Sequence, residues 1–213
     1  MKKQIGFTLI ELMVTIIIMG IMAAISLPAM NGFMERQRIK SALNGYANAL
    51  TFARNEAIRQ NVPVIACGAS ISTTGQLAGC ANNTKSWSEG VFVYADVNRN
   101  SAYNSTVDRN IRVFNSPNAG SGVADANKLD IAVKLSPLTG TSAVTNPNIQ
   151  FLPNSQVVIN DVASANYVVI DMQSKNNTQH TGRVLLGLTG KIISCSQQVK
   201  SNNTGNKIAE LCG

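Results

Sequence analysis

Lys2-Lys3-Gln4-Ile5-Gly6-Phe7-Thr8-Leu9-Ile10-Glu11-Leu12 opens the 213-residue chain, and its reading decides what the rest can be. Two lysines precede an apolar stretch over residues 7–30 that holds a single charge, Glu11. About 20 apolar residues suffice to cross a bilayer, so the stretch predicts a membrane-spanning helix. It is too long for the apolar part of a secretory signal. Ala23-Ala24 before Ser26 is the nearest small-residue cleavage site, and apolar residues continue on both sides of it. The positive-inside rule keeps Lys2 and Lys3 cytoplasmic and sends everything after Met30 across the membrane. A charge at mid-bilayer costs roughly 2.5–3.5 kcal/mol on insertion scales. Simple anchoring gives Glu11 no reason to bear that cost, so its carboxylate points to assembly or exchange inside the membrane.

The run Gly6-Phe7-Thr8-Leu9-Ile10-Glu11 resembles the processing motif of type IV pilins and type II secretion pseudopilins. The resemblance implies that a prepilin peptidase cuts after Gly6 and that the new amino terminus at Phe7 is methylated. It also implies that Pro28 kinks the helix. Cutting between Gly6 and Phe7 would create an α-amine one helical turn from the Glu11 carboxylate. In a filament, Glu11 of one subunit can pair with the Phe7 amine of its neighbour. Two desolvated charges then become one hydrogen-bonded pair, which favours a single register. The competing reading has Glu11 reaching the membrane interface from its helix end.

Four cysteines, Cys67, Cys80, Cys195 and Cys212, form two sequence-local pairs. Outside the cytoplasm an even count reads as disulfides. Cys67–Cys80 with Cys195–Cys212 is favoured among the three connectivities, each loop contributing about 3 kcal/mol in the chain-entropy model. Zinc is disfavoured, because no Cys-x-x-Cys pair exists and His180 is the lone histidine. Asp96-Val97-Asn98-Arg99-Asn100 imitates the start of a calcium loop, then fails it with Ser101 at position six and Val107 at position twelve. A side-chain-capped turn is expected there instead. No nucleophile with an orienting acid and no phosphate-binding glycine loop is present, so neither catalysis nor a cofactor or metal is expected. The net charge of +7 includes Lys2 and Lys3; without them 16 basic side chains face 11 acidic ones. That excess allows contact with DNA or an anionic surface without demanding it.

The expected organisation is a leader over residues 1–6, a transmembrane and assembly half-helix over 7–30, an amphipathic half-helix over 31–61 and a periplasmic β-rich domain over 62–213. Met34, Ile39, Leu43, Ala47, Leu50, Ala53, Ala57 and Ile58 recur at helical spacing, with Arg36, Arg38, Lys40, Asn44, Asn48, Arg54, Glu56 and Arg59 on the polar side. Asn61-Val62-Pro63 ends the helix, because proline disfavours the α conformation in the residue before it. Short apolar runs follow at 62–67, 90–95, 111–114, 129–135, 148–152, 156–159, 167–172, 183–188 and 191–195. Segments 115–127 and 136–147 read as mobile loops, and 196–211 as a polar tail pinned by Cys212. One long helix followed by many short strands predicts an α+β fold, the helix packed on antiparallel sheets.

Ala53-Arg54-Asn55-Glu56-Ala57-Ile58-Arg59-Gln60-Asn61 resembles the helix end of the GspH/FimT/FimU group of minor pilins, and Trp87–Asn98 resembles its tryptophan-glycine strand. FimT-type members bind DNA in natural transformation, and the resemblance places their arginines in a Gly-Arg-x-Arg motif. Gly182-Arg183-Val184-Leu185 and Gly190-Lys191-Ile192-Ile193 each keep one of its two cations. Phosphate contacts act cumulatively, so halving the cluster weakens binding. Arg183 and Lys191 are therefore the candidate DNA contacts, with Lys200 and Lys207 on a diffuse rim, and plain strand-end cations are the favoured reading. The expected function is that of a minor pilin that primes a type IV pilus or sits near its tip. The alternatives are a FimT-like DNA receptor and a type II secretion pseudopilin. The implied partners are other major and minor pilins, the prepilin peptidase and the inner-membrane assembly platform. The implied location is the inner membrane, single-pass, and then the extracellular pilus.

Overall fold

A computed structural model describes residues 7–71, 77–80, 86–115, 118, 128–136, 142–143, 148–159, 162–163, 167–175, 181–187, 189–195 and 212. Over 23–32 and at a few strand positions it describes the backbone alone. One helix, α1 (Leu9–Gln60), is followed by twelve strands among the described residues. The chain divides into two compact units, Met1–Gln37 and Arg38–Gly213.

In the first unit the helix begins with a cap. The Glu11 amide donates to Thr8 Oγ1 at 3.3 Å, one half of the Thr-x-x-Glu capping box. All side chains over 7–22 are exposed, Phe7 at 86%. Among the described residues no helix is long and apolar enough to cross a membrane. The described side chains of the apolar stretch stop at Met22. The helix runs uninterrupted through Pro28, whose side chain lies outside the described residues, as do Gly6 and His180.

In the second unit the buried helix face is Ile39, Ala42, Leu43, Tyr46, Ala49, Leu50, Ala53 and Ala57. The expected stripe is corrected: Met34 and Ile58 are exposed and Ala47 is only partly buried, while Ala42, Tyr46 and Ala49 enter the core. The helix closes on Asn61, whose φ of 55° is the left-handed conformation that ends helices. One sheet runs β4-β3-β1-β7-β8-β9, with β2 also on β1: β1 (Val64–Ile71), β2 (Leu77–Cys80), β3 (Gly90–Ala95), β4 (Arg109–Asn115), β7 (Ile149–Phe151), β8 (Val157–Ile159) and β9 (Val162–Ala163). The other runs β12-β11-β10-β5-β6: β5 (Leu129–Ser136), β6 (Ser142–Ala143), β10 (Tyr167–Ser174), β11 (Thr181–Leu186) and β12 (Ile192–Cys195). Every pairing in both sheets is antiparallel. One core joins the helix stripe to the inner faces of both sheets, through Val91, Val93, Ile149 and Phe151 on one and Ile131, Ile170, Met172 and Val184 on the other.

Strands β2, β6 and β9 were not expected from the sequence, and β6 falls inside a stretch read as loop. Most of 115–127 and 136–147, and all of 196–211, lie outside the described residues. Each sheet also carries a small apolar cluster on its outer face, and each cluster holds one disulfide. Cys67–Cys80 sits with Ile65, Ala69, Phe92, Tyr94 and Tyr103; Cys195–Cys212 sits with Val169, Leu185, Tyr167 and Ile193. Both bonds are the connectivity favoured from spacing.

Candidate functional site

Among the described residues the candidate groups form three separate sites. At the N-terminus, Phe7 and Glu11 are both exposed, and among the described residues the Glu11 carboxylate has neither hydrogen bond nor ion pair. A carboxylate in the first turn is favoured by the helix dipole. That fixes its charge at the helix start without neutralising it.

The second site holds the two partial Gly-cation motifs, and the structure separates them. Arg183 and Lys191 lie on or beside the same sheet, yet Arg183 is in register with Cys195, four residues beyond Lys191. That offset is about 13 Å along the strand. Arg183 is also engaged: its Nε donates to Asp171 Oδ1 at 2.5 Å, across neighbouring positions of β10 and β11. Lys191 is exposed at the turn, whose backbone closes through Gly187 N to Lys191 O at 2.8 Å.

Both motif glycines answer to helix packing. A Cβ on Gly182 would stand 2.8 Å from Ile39 Cγ2 and from Leu43 Cδ1. Gly190 has φ +71°, and a Cβ there would stand 2.8 Å from Arg54 Nε and 3.0 Å from the Ser155 carbonyl. Arg54, assigned to the polar face from sequence, is therefore corrected: its Nε is buried against Gly190 and has no hydrogen-bond partner among the described residues. Its spacing, four after Leu50 and three before Ala57, already put it on the flank of the buried stripe. A cation beside Lys191 thus comes from the helix, not from the second position of a Gly-Arg-x-Arg run.

The third site is the loop after β3, where the side-chain-capped turn is present. Asp96 is fully buried and accepts from the amides of Asn100 (3.1 Å, Oδ1) and Ser101 (2.9 Å, Oδ2). Asp108 accepts from Val97 N (3.1 Å, Oδ1) and Asn104 N (2.7 Å, Oδ2). Asn98 and Asn100 each accept from the amide two residues on. The two carboxylates hold the loop as an internal clip. At the other end of β3, the buried Tyr46 hydroxyl donates to the Trp87 carbonyl. Burial, reinforced by Glu89, pushes that phenol well above its usual range.

Comparison with known proteins adds the following. Residues 1–27 match the prokaryotic N-terminal methylation motif, and residues 42–190 match the type II transport protein GspH family. Fimbrial protein EcpC of Eikenella corrodens is 52% identical over 46 residues, 21% of this chain and 30% of that protein. A fimbrial protein of Pseudomonas aeruginosa is 38% identical over 65 residues, 30% of this chain and 42% of that protein. The chain thus spans less than half the length of these relatives. The crystal structure of the Pseudomonas aeruginosa type IV minor pilin FimU aligns with a TM-score of 0.44 at 14% identity, covering 76% of this chain and 91% of that one.

Proposed function

Because the chain belongs to the type II transport protein GspH family and opens with a prokaryotic N-terminal methylation motif, we propose that it is a minor pilin of a type IV pilus. In this reading it is a structural subunit and not an enzyme. Met1–Gly6 is removed by a prepilin peptidase, Phe7 is N-methylated, and residues 7–30 hold the subunit in the inner membrane, with the domain after Met30 periplasmic. Assembly transfers that helix among other major and minor pilins at the inner-membrane platform, and the subunit serves near the tip or in priming. The observation that carries this reading is the exposed apolar start of α1 with Glu11, which has no cation partner among the described residues, in its first turn. Such a surface needs lipid or neighbouring helices to cover it, and the lone carboxylate needs a cation. The Phe7 amine, free only after cleavage behind Gly6, is that cation. Similarity over part of the chain to proteins named fimbrial supports this reading.

The test is incorporation: sheared surface filaments are probed for the chain against the membrane fraction. Wild type and Glu11→Asp should enter filaments, whereas Glu11→Ala and Glu11→Gln should stay in the membrane. Normal incorporation of Glu11→Ala refutes the docking pair.

The family's own description favours a second reading, a type II secretion pseudopilin. Deletion separates the two: loss of surface pili supports the first, and loss of protein export with intact pili supports the second. A DNA receptor is less favoured, because Asp171 already engages Arg183. Lys191 with Arg54 would carry what affinity remains. Salt-sensitive DNA binding that is lost on Lys191→Gln would revive it.

A further inference from the structure

Strand β4 is the outermost strand of the seven-stranded sheet and, among the described residues, pairs only with β3. Edge arginines ordinarily guard such strands by standing clear of the sheet. Arg109 and Arg112 are instead held down on it. The Arg112 guanidinium carbon lies 4.9 Å from the centroid of the Phe114 ring and 5.6 Å from that of Phe52. Arg109 Nη1 donates to Gln60 Oε1 at 3.2 Å. The nearby carboxylate of Glu56 is already occupied by Arg59 at 2.7 Å and by Gln60 Nε2 at 2.7 Å. Neither Arg109 nor Arg112 has a carboxylate partner among the described residues.

A bulge sets their spacing. Arg109 is opposite Ala95 and Asn110 opposite Tyr94, but Arg112 is opposite Val93, so Ile111 is the extra residue. Three steps in sequence therefore become two in register, and both arginines share the face on which Val93 and Ala95 meet the core. Bulges re-aim side chains in this way. The backbone positions of the two arginines are two register steps, about 7 Å, apart along the edge, the spacing of positions i and i+2 on an added strand. One register step beyond Arg112, on the opposite face, the edge exposes Val113, paired with Phe92.

We propose that the free edge of β4 receives an extended acidic segment of a partner polypeptide as an additional strand. Carboxylates at alternate positions would meet Arg109 and Arg112, and an apolar residue on the other face, one position past the carboxylate at Arg112, would cover Val113. Ring faces and an amide already orient both guanidiniums, so little side-chain freedom is lost on docking. The strand's outward backbone groups supply the hydrogen bonds of strand addition. This holds whichever filament the subunit joins.

The test uses the full chain in detergent micelles with a labelled peptide of alternating Val and Glu. Its counterpart with Lys for Glu and an oligothymidylate serve as the other probes. Anisotropy reports binding, and amide hydrogen exchange reports β4. The Val-Glu peptide should bind, slow exchange across Arg109–Asn115 and weaken with salt. Arg109→Gln and Arg112→Gln should each weaken it about fivefold, with Arg112→Lys intermediate and all three melting like wild type. Equal binding of the Val-Lys peptide, unchanged exchange in β4, indifference to the substitutions or no binding would each overturn the proposal. Preferred binding of the oligothymidylate without β4 protection would overturn it in favour of a nucleic-acid surface.

Discussion

Single residues here carry constraints that their chemistry alone does not announce. Gly182 reads as part of a DNA-binding motif, yet the space for a side chain is taken by Ile39 and Leu43. Gly182→Ala should destabilise the folded chain by about 1–3 kcal/mol, the usual cost of overpacking. Adding Leu43→Ala should recover part of that loss in a double-mutant cycle by chemical denaturation. Tyr46 gives a second prediction. Its folded-state phenol is pushed up by burial, while an unfolded tyrosine titrates near about 10. Above about pH 10 the unfolded chain sheds a proton that the folded chain keeps, so stability falls as pH rises. Denaturation midpoints at pH 8 and above pH 10 should show a larger drop for wild type than for Tyr46→Phe. At pH 8 that substitution should cost about 1–2 kcal/mol, because the buried Trp87 carbonyl loses its donor.

Among the elements, α1 and the loop after β3 were the most legible. Apolar residues at three-to-four spacing, a proline after Asn61 and an Asx-rich turn are local signals, and each produced what it implied. Strands β2, β6 and β9 were not legible. They are two to four residues long and exist only because a neighbouring strand offers a partner edge. The loop of residues 96–108 rests on two buried carboxylates that accept four backbone amides. Asp96→Ala should therefore lower stability by about 2–4 kcal/mol, since charge-assisted bonds to buried groups are the strong ones. Asn98→Ala, at an exposed position, should cost far less, and equilibrium denaturation compares the two. Glu56 is a milder case. Its hydrogen bonds from Arg59 and Gln60 hold its carboxyl below the usual range. That small contribution is present above the ordinary carboxylate pKa and is lost as pH falls through the depressed one.

For the molecule as a whole, the disulfides have a definite place. They are in neither the main core nor the helix; each pins the cover over the outer face of one sheet. Reduction should then lower stability by about 3 kcal/mol per bond. It should expose Phe92, Tyr94 and Tyr103 on one face and Tyr167 and Leu185 on the other before the main core opens. A hydrophobic dye should bind the reduced chain at denaturant concentrations where far-ultraviolet circular dichroism is still native. Simultaneous loss of both signals would contradict that order.

The first thirty residues were enough by themselves to reveal the N-terminal methylation motif. Charge, apolar length and a cleavage-like junction are adjacent in sequence and need no fold to be read. The helix stripe and the cysteine pairing were equally local. What only the tertiary structure decided is which cations are available. Arg183 is engaged because β10 and β11 pair in the one register that sets it beside Asp171. Arg54 is drawn inward against Gly190, while Arg109 and Arg112 share a face because Ile111 bulges out of register. Cross-strand register and helix-on-sheet packing join residues far apart in the chain, and no spacing within one segment encodes them.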